Sequence, residues 1–493
     1  MAEKSMIVIG AGLAGLSAGV FARKAGFQTT IFEHHCLPGG VAATWRRGEY
    51  IFDGGIHFLM GCQPDHPVWK LYQELGAAEG LEVAPIETYT LFVDEESATS
   101  ISVTSDLEKL RRDLISLSPR DKKPINDLID CSLAMTGAAL GDGGFSKPWE
   151  LMTPVDNAKM IWQMRGMLKF LPRGLGQSVM DWCKKLQSPT LRRLIMNLFL
   201  PEVPVWFLAM LLSLLHTHNL GYLKNGAMDF AHRIEQHFRA IGGEVRYHAT
   251  VSKILVENDQ AVGVALTDGS EHRADLVISA ADGYSTIFEA LDGRYVTKSL
   301  RTKYDTWKPI RPIVQATYGV SRSYTNESLM ALALQNPIRL GTSSVKNLWV
   351  RTFNYSDHFA PVGKTVVQAM FDTDWDWWND QSNDEALYSE AKRQVADEVM
   401  IRLAPYFDNI AEAIEESDVA TPHTLQRYTL NRQGSYMGWL PTPKAILSRA
   451  ERTLPGLSNF AMAGHWVTPG GGVPPVLASG KHAVQMLTQR ARM

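Results

Sequence analysis

The chain has 493 residues, which is too long for one simple domain and fits two or three. Its hydrophobic fraction of 45% and charged fraction of 20% are ordinary for a folded globular protein, and they exclude disorder, fibrous repeats and a polytopic membrane protein. The net charge of -3 creates no global field that would attract nucleic acid. Four cysteines without a C-x-x-C pair support neither a disulfide framework nor a metal site, and they predict a cytoplasmic location.

The N-terminal segment predicts a β-α-β unit rather than a signal peptide, because its glycines fall at fixed offsets. Strand, helix and second strand are predicted at Met6–Ile9, Leu13–Ala25 and Gln28–Phe32.

The turn between the first strand and the helix carries Gly10-x-Gly12-x-x-Gly15. Glycine lets the backbone turn tightly and approach a pyrophosphate, and the helix N-terminus adds free N–H groups. Glu33 ends the second strand, where a carboxylate accepts from ribose hydroxyls and disfavours a 2′-phosphate. Together these residues predict an FAD or NAD site rather than an NADP site.

The middle of the chain changes character, since residues 71–225 are predicted to be mainly helical and rich in Leu, Met and Trp. Leu191–Leu215 is apolar on nearly every face after Arg193, so it predicts either a buried core helix or the wall of an apolar tunnel. Its longest apolar run, Val205–Leu215, is too short to cross a bilayer.

A basic segment, Lys159–Lys185, carries six Lys or Arg against one Asp, a net charge of +5, with Met, Trp and Phe interleaved. Such a pattern is typical either of a solvated helix face over the core or of a peripheral contact with an anionic membrane surface.

The α/β pattern returns in residues 226–296, and residues 297–454 mix strands with a long helix, Asp384–Leu403. Asp372–Asp380 predicts a surface loop anchored by Trp, and residues 455–493 predict a strand and a final helix near Val476–Arg490. The fold class is therefore α/β, with a Rossmann-like domain assembled from residues 1–70, 226–296 and 455–493. A mixed α+β substrate domain with a helical apolar region is inserted as residues 71–225 and 297–454.

Three further blocks carry a resemblance to a known family. They are the Gly39-Gly40 doublet with Phe52-Asp53-Gly54-Gly55, the stretch 242–281, and Ala463-Gly464-His465-Trp466 through Gly470-Gly471-Gly472-Val473-Pro474. Within the amine-oxidase-like flavoproteins, these blocks most resemble phytoene desaturases and carotenoid isomerases. The resemblance covers the three α/β pieces, is only general across the inserted pieces, and implies FAD rather than NAD.

The resemblance also implies cofactor contacts. Val251 would offer its backbone to adenine, Gly464 would lie at the pyrophosphate, and Gly472 and Val473 would lie near the pyrimidine edge of the isoalloxazine. Further contacts are implied for Gly39, Gly40 and Gly55. Many relatives have Arg after the glycine doublet, but this chain has Val41 there, so the charge is expected either to come from Arg46 or Arg47 or to be missing.

Three residues are candidates for the chemistry. His57 should point from the flavin-binding segment toward the ring, where an imidazole suits proton transfer. Trp466 would flank the ring from the C-terminal loop or form a cavity wall, and Tyr436 is a lower-ranked proton donor.

No second Gly-x-Gly-x-x-Gly follows a strand, and the glycines of residues 137–144 predict a loop. The flavin would then be reoxidised by oxygen or a quinone-like acceptor, or the net reaction would be redox-neutral.

The resemblance therefore implies an FAD-dependent oxidoreductase that acts on carbon–carbon bonds of a small-molecule substrate that is long and apolar, such as a carotenoid, retinoid, other isoprenoid or lipid. Desaturation, saturation and cis–trans isomerisation remain open. The alternatives are a flavin amine oxidase and a non-catalytic prenyl-lipid escort with the same fold.

Overall fold

The computed structural model describes residues 4–136, 145–341, 343–448 and 450–490. Its strands, numbered in chain order, are β1 (Ser5–Ile9), β2 (Gln28–Phe32), β3 (Thr44–Arg47), β4 (Tyr50–Asp53), β5 (Leu59–Met60), β6 (Val83–Pro85), β7 (Thr88–Asp94), β8 (Thr99–Thr104), β9 (Leu220–Leu223), β10 (Glu244–Arg246), β11 (Val251–Glu257), β12 (Gln260–Leu266), β13 (Glu271–Arg273), β14 (Leu276–Ser279), β15 (Ile313–Val320), β16 (Leu329–Leu340), β17 (Ser343–Thr352), β18 (Thr365–Asp372), β19 (Ile414–Ala420) and β20 (Phe460–Met462).

The α-helices of the same residues are α1 (Leu13–Lys24), α2 (Pro67–Glu74), α3 (Leu107–Leu117), α4 (Lys122–Met135), α5 (Pro154–Leu168), α6 (Val179–Cys183), α7 (Pro189–Asn197), α8 (Val205–His216), α9 (Gly226–Ala240), α10 (Lys298–Thr306), α11 (Trp375–Gln381), α12 (Glu385–Leu403), α13 (Ile410–Ala413), α14 (Pro422–Thr429), α15 (Pro443–Ser448) and α16 (Val473–Arg490).

A five-stranded parallel sheet forms the dinucleotide-binding layer, in the order β10-β2-β1-β14-β20. Its central strands read as nearly continuous apolar runs because both faces are covered: helices α1, α9 and α16 pack on one face, and strands β11 and β12 pack on the other. Helix α1 packs against α9 and α16. The predicted β-α-β unit at the N-terminus is confirmed, and so is the α/β class. The strands of this sheet come from residues 5–32, 244–279 and 460–462, whereas the domain boundaries stay predictions.

A second, seven-stranded sheet has the order β19-β15-β18-β17-β16-β7-β8 and is antiparallel except for the β16–β7 pair. Strands β7 and β8 lie within residues 71–225, together with β6 and β9. The expectation of a mainly helical segment there was therefore incomplete. β7 and β8 pair with each other across a short turn, and β7 extends the sheet by pairing with β16, so long-range pairing rather than local pattern decides their state.

The apolar stretch Leu191–Leu215 was expected to form one helix, but it forms two. α7 ends at Asn197 and α8 begins at Val205, because Pro201 and Pro204 interrupt the backbone hydrogen bonding between them. Most of α8 is buried in the core that also holds α4, while Phe207, Met210 and Leu211 line a large cavity. Helix α8 thus both packs in the core and lines the cavity.

Two local expectations need correction. Residues 375–381 form helix α11 rather than a loop, because the Asp374 side chain caps its N-terminus and Trp378 is fully buried. The final helix begins at Val473, three residues earlier than expected, since proline is tolerated in the first turn of a helix. The loop predicted at residues 137–144 lies outside the described residues. Within the described ranges, no helix has the length and hydropathy needed to cross a membrane.

Candidate active site

A cavity of about 1340 Å³ lies between the two sheets and the helical layer. The sequence-predicted residues that line it are Gly10, Gly12, Glu33, Gly39, Gly40, Arg47, Gly55, His57, Val251, Tyr436, Gly464, Trp466, Gly472 and Val473. Residues distant in the chain are therefore brought to one site, as the motifs predict.

The turn that precedes α1 leaves room for a ligand. Gly10 has a φ of +92°, a conformation that favours glycine. Gly12 has extended backbone, and a Cβ built there would meet no heavy atom within 4 Å. Gly15 plays a different part: its Cβ would lie 1.8 Å from the carbonyl oxygen of Gly10, so it permits close packing of helix on strand and does not line the cavity.

The glycine doublet lies against this turn. The N–H of Gly39 donates to the carbonyl of Ala11 at 2.9 Å, and a Cβ on Gly40 would lie 3.3 Å from the Cα of Gly12. The two glycine motifs thus form one continuous backbone surface at the N-terminus of α1, where the helix dipole favours an anion.

Glu33 is buried beside the same turn. Its carboxylate accepts from the N–H of Ala11 at 2.5 Å and from the N–H of His35 at 2.8 Å. Burial raises its pKa, while these N–H donors counteract the shift. A carboxylate has about four acceptor positions, so two backbone bonds leave capacity for ribose hydroxyls. Val251, at the start of β11, lines the same cavity.

The C-terminal segment closes the opposite side. The N–H of Gly464 donates to Oγ of Ser479 at 2.8 Å, which ties the loop to α16. Helix α16 begins at Val473, directly after Gly472, and both residues line the cavity. The N-terminus of α16 therefore faces the cavity, where unpaired N–H groups stabilise negative charge.

Arg47 lies at the cavity, but its charge is already paired. Its guanidinium binds Oδ2 of Asp418 at 2.5 Å, and its side chain is 46% exposed. Lys392 approaches the other carboxylate oxygen of Asp418 at 3.5 Å. The proposed contribution of Arg47 to the cofactor charge stays a prediction.

His57 is half-buried at the cavity wall, and among the described residues its buried Nε2 has no hydrogen-bond partner. Burial, reinforced by the positive charge of Arg351, lowers its pKa to about 3. The imidazole is therefore neutral at pH 7, which revises the expectation of a group that titrates near neutrality. It can accept or donate a hydrogen bond, but it is not an imidazolium acid near pH 7.

The two aromatic candidates also lie at the cavity. Trp466 is 4% exposed, and its Nε1 is another buried donor without a partner in the described part of the chain. Its ring stands edge-on to that of Trp439, with centroids 5.0 Å apart. Burial raises the pKa of Tyr436, so its phenol stays protonated and able to donate at neutral pH.

Four polar residues near this site were missed as functional residues by sequence reasoning: Asp53, Gln315, Arg351 and Gln368. All are at most 4% exposed. Burial raises the pKa of Asp53 to about 6, although Arg351 and the N–H groups of Gly55 and Ala227 oppose the shift. The available signal was a polar residue within an apolar strand pattern, such as IVQATYGV in β15.

The residues present fit FAD. The open space at Gly12 accepts a pyrophosphate, and Glu33, which lines the same cavity, retains acceptor capacity for ribose. When bound, FAD supplies a ring system that exchanges hydride. No cluster of three or more His, Cys, Asp or Glu suited to a metal ion occurs in the described ranges.

Curated relatives match nearly the whole chain. Prolycopene isomerase of Daucus carota is 24% identical, and the match covers 97% of this chain and 79% of that protein. The 4,4'-diapophytoene desaturase of a Methylomonas species is 23% identical, and the match covers 99% of this chain and 96% of that protein.

Solved structures agree on the fold. A putrescine oxidase double mutant aligns with a TM-score of 0.62 at 16% identity, covering 99% of each chain. The sequence profile of the family described as flavin containing amine oxidoreductase matches residues 13–488. Glu33 and the C-terminal loop of the cavity lie within the matched residues. The chain thus belongs to the flavin containing amine oxidoreductase family and is an FAD-dependent oxidoreductase.

Proposed function

We propose that the protein exchanges hydride with a carbon–carbon bond of a long apolar molecule, such as a carotenoid, retinoid, other isoprenoid or lipid. The observation that carries the proposal is the apolar side of the cavity, which continues from the flavin-facing residues. It is lined by Phe58, Met60, Phe199, Phe207, Met210 and Leu211. The cavity volume of about 1340 Å³ exceeds the roughly 300–1,000 Å³ of common ligand sites, so a second molecule has room beside the cofactor.

The residues at the junction of the two halves suit this chemistry. The side chains of His57, Tyr436 and Trp466 line this part of the cavity, with the imidazole neutral and the phenol protonated near pH 7. These groups position the substrate and handle protons. The names of the isomerase and desaturase relatives support a reaction on polyene carbon–carbon bonds, and desaturation, saturation and isomerisation all fit the site.

Mass spectrometry of lipids extracted from the purified protein tests the substrate class. Candidate polyenes are then mixed anaerobically with the flavin-loaded protein, and the flavin absorbance is followed by stopped flow. Desaturation reduces the flavin, and oxygen or a quinone then reoxidises it. Isomerisation instead needs flavin reduced beforehand and consumes no acceptor. If no polyene, retinoid or lipid is bound or converted in either flavin state, the proposal is refuted.

A flavin amine oxidase is the second candidate, favoured by the fold similarity to putrescine oxidase and by the aromatic pair Tyr436 and Trp466 at the cavity. It predicts hydrogen peroxide on addition of amines, which the polyene reaction does not. The family match makes a non-catalytic escort the weaker alternative, since the glycine turn and Glu33 are suited to a nucleotide.

We also propose that the apolar substrate is collected at a membrane surface through the basic segment. Of the thirteen exposed large hydrophobic residues of the described chain, six lie between residues 149 and 180: Trp149, Val155, Ile161, Trp162, Met164 and Met180. Only Met167 of helix α5 is buried. Lys and Arg beside exposed Trp and Met form a surface that suits anionic headgroups above acyl chains.

The charge available for this contact is smaller than the sequence total. Arg173 pairs with Asp127, and Lys184 pairs with Asp181. The guanidinium of Arg165 lies 3.7 Å from the centre of the Trp162 ring, so charge and aromatic surface are presented together.

Charge reversal at Lys159, Arg165 and Lys169 tests the membrane contact. Each cation contributes about 1 kcal/mol at an anionic surface, so loss of three cations alone should weaken binding by about 100-fold, and the repulsion from the three added anions should weaken it further. Binding is measured by co-sedimentation with phosphatidylcholine vesicles containing about one third phosphatidylserine. The control reverses three exposed cations elsewhere, Arg120, Lys122 and Lys123. Equal losses in both variants, or no binding of the unaltered protein at low salt, would refute the contact. The cytoplasmic location stays a prediction.

A further inference from the structure

Two glutamines are buried in the middle of the seven-stranded sheet. Gln315 on β15 is 2% exposed, and Gln368 on β18 is 0% exposed. Their strands are otherwise mostly apolar. A buried amide costs free energy unless it is hydrogen-bonded, so the contacts of these two side chains need an explanation.

Both amides donate to consecutive carbonyls of the segment that lines the cavity. Nε2 of Gln315 lies 2.6 Å from the carbonyl oxygen of Gly54, and Nε2 of Gln368 lies 3.1 Å from that of Asp53. These carbonyls come where β4 ends, since Asp53 forms the last register pair with Thr44 of β3. Beyond that pair the backbone needs partners from elsewhere, and the second sheet supplies them.

The same segment is held from its other side. The carboxylate of Asp53 accepts from the N–H of Gly55 at 3.2 Å and from the N–H of Ala227, in the first turn of α9, at 3.0 Å. The next residues, Gly55 to His57, line the cavity. The backbone that leads to His57 is therefore fixed by contacts from two sides immediately before it enters the site.

Arg351 on β17 sets the orientation of one amide. It is 4% exposed, and its Nη1 lies 3.5 Å from Oε1 of Gln368. A guanidinium only donates, so the amide must turn its oxygen toward Arg351 and its nitrogen toward Asp53.

We propose that Gln315 and Gln368 are positioning residues: they hold the carbonyls of Gly54 and Asp53 and thereby fix His57 and its backbone against the reacting groups. This inference rests on the proposed function only in placing the reaction at this wall of the cavity. A displacement of about 1 Å in such a segment can lower a rate on the order of 100-fold.

The test replaces each glutamine by leucine, which keeps the approximate volume and removes the donor. Amide hydrogen exchange of the peptide containing Gly55 to His57 is measured by mass spectrometry on flavin-loaded protein. We expect exchange in this peptide to rise about 10-fold or more as the segment opens locally. The rate of flavin reduction by substrate should fall by roughly 10- to 100-fold, with flavin still bound.

Tyr318→Phe is the matched control. Tyr318 lies on the same strand as Gln315, and its hydroxyl donates to the carbonyl of Ala396 in α12 at 2.7 Å. The variant therefore removes a buried hydrogen bond of the same sheet without touching the segment, and it should leave both readouts unchanged. Gln368→Asn, whose amide is one methylene shorter, serves if a leucine variant does not fold.

Glutamine variants that behave like Tyr318→Phe in exchange and in rate would overturn the inference. Exchange in the peptide is independent of the substrate, so it tests the positioning even where the proposed reaction fails. Failure of the unaltered protein to convert any apolar substrate would instead refute the proposed function alone.

Discussion

Replacing Gly12 by valine separates cofactor binding from folding. Gly12 caps the N-terminus of α1 with a φ of -64° and a ψ of 172°, a conformation that any residue can adopt. Its Cβ would meet no protein atom within 4 Å, so the valine side chain enters the open space of the cavity. The variant is expected to fold and to obstruct the place where the pyrophosphate approaches the backbone.

The expected free energies differ in size. Exchange of glycine for an aliphatic residue at an N-cap costs on the order of 1 kcal/mol of helix stability. Obstruction of the pyrophosphate should weaken FAD binding by at least about 100-fold, which corresponds to about 2.7 kcal/mol. At a ligand concentration of about 100 times Kd, the stabilisation that FAD gives the unaltered protein is also about 2.7 kcal/mol. The Gly12→Val variant should lose nearly all of this stabilisation by FAD.

The assay combines the flavin absorbance of the purified protein, titration of the flavin-free protein with FAD, and unfolding by denaturant with and without FAD. Gly176→Val is the matched control, because its Cβ would meet only Leu171 at an ordinary 3.7 Å and the residue does not line the cavity. Gly15→Val is the contrasting case. Its Cβ would lie 1.8 Å from the carbonyl of Gly10, so the fold itself should be destabilised.

A Gly12→Val protein that keeps the flavin spectrum and FAD affinity of the unaltered chain would refute the assignment of this turn. So would a variant whose flavin loss is accompanied by a loss of stability as large as that of Gly15→Val. The first result would place the pyrophosphate elsewhere, and the second would make Gly12 a packing residue.

Three further predictions follow from the site. The pKa of Asp53 is raised from 3.8 to about 6, so between these pH values the native state binds a proton that the unfolded state has lost. The free energy of unfolding, measured with urea relative to Asp53→Asn, should therefore fall by about 3 kcal/mol as pH rises from below 4 to above 6. A difference that rises over this range would contradict the reasoning. His57→Ala should slow anaerobic flavin reduction by about 100-fold with FAD still bound, because a ring that positions the substrate is lost, and a fully active variant would leave this histidine a packing role. NADPH should reduce the flavin only slowly, since the sequence carries one dinucleotide fingerprint, and fast reduction in stopped flow would contradict this.

The sequence by itself determined the dinucleotide site and the class of fold. A strand, a Gly-x-Gly-x-x-Gly turn and a helix depend on residues close together in the chain, and Glu33 follows at the end of the next strand. The resemblance carried by the segments at 52–55 and 463–474 correctly implied FAD and the family. These features were predictable because glycine at a tight turn and a carboxylate at a strand end have few alternatives.

Only the tertiary structure decided how the reaction side of the cavity is built. Gln315 and Gln368 reach Gly54 and Asp53 across 261 and 315 residues, respectively, and no local pattern announces such pairs. The pKa of His57 likewise depends on its burial and on Arg351, which lies on β17 of the seven-stranded sheet. Strand β7 took its place by pairing with β16. Periodicity reports which face of an element is buried, whereas partners, charges and desolvation arise only when distant elements pack together.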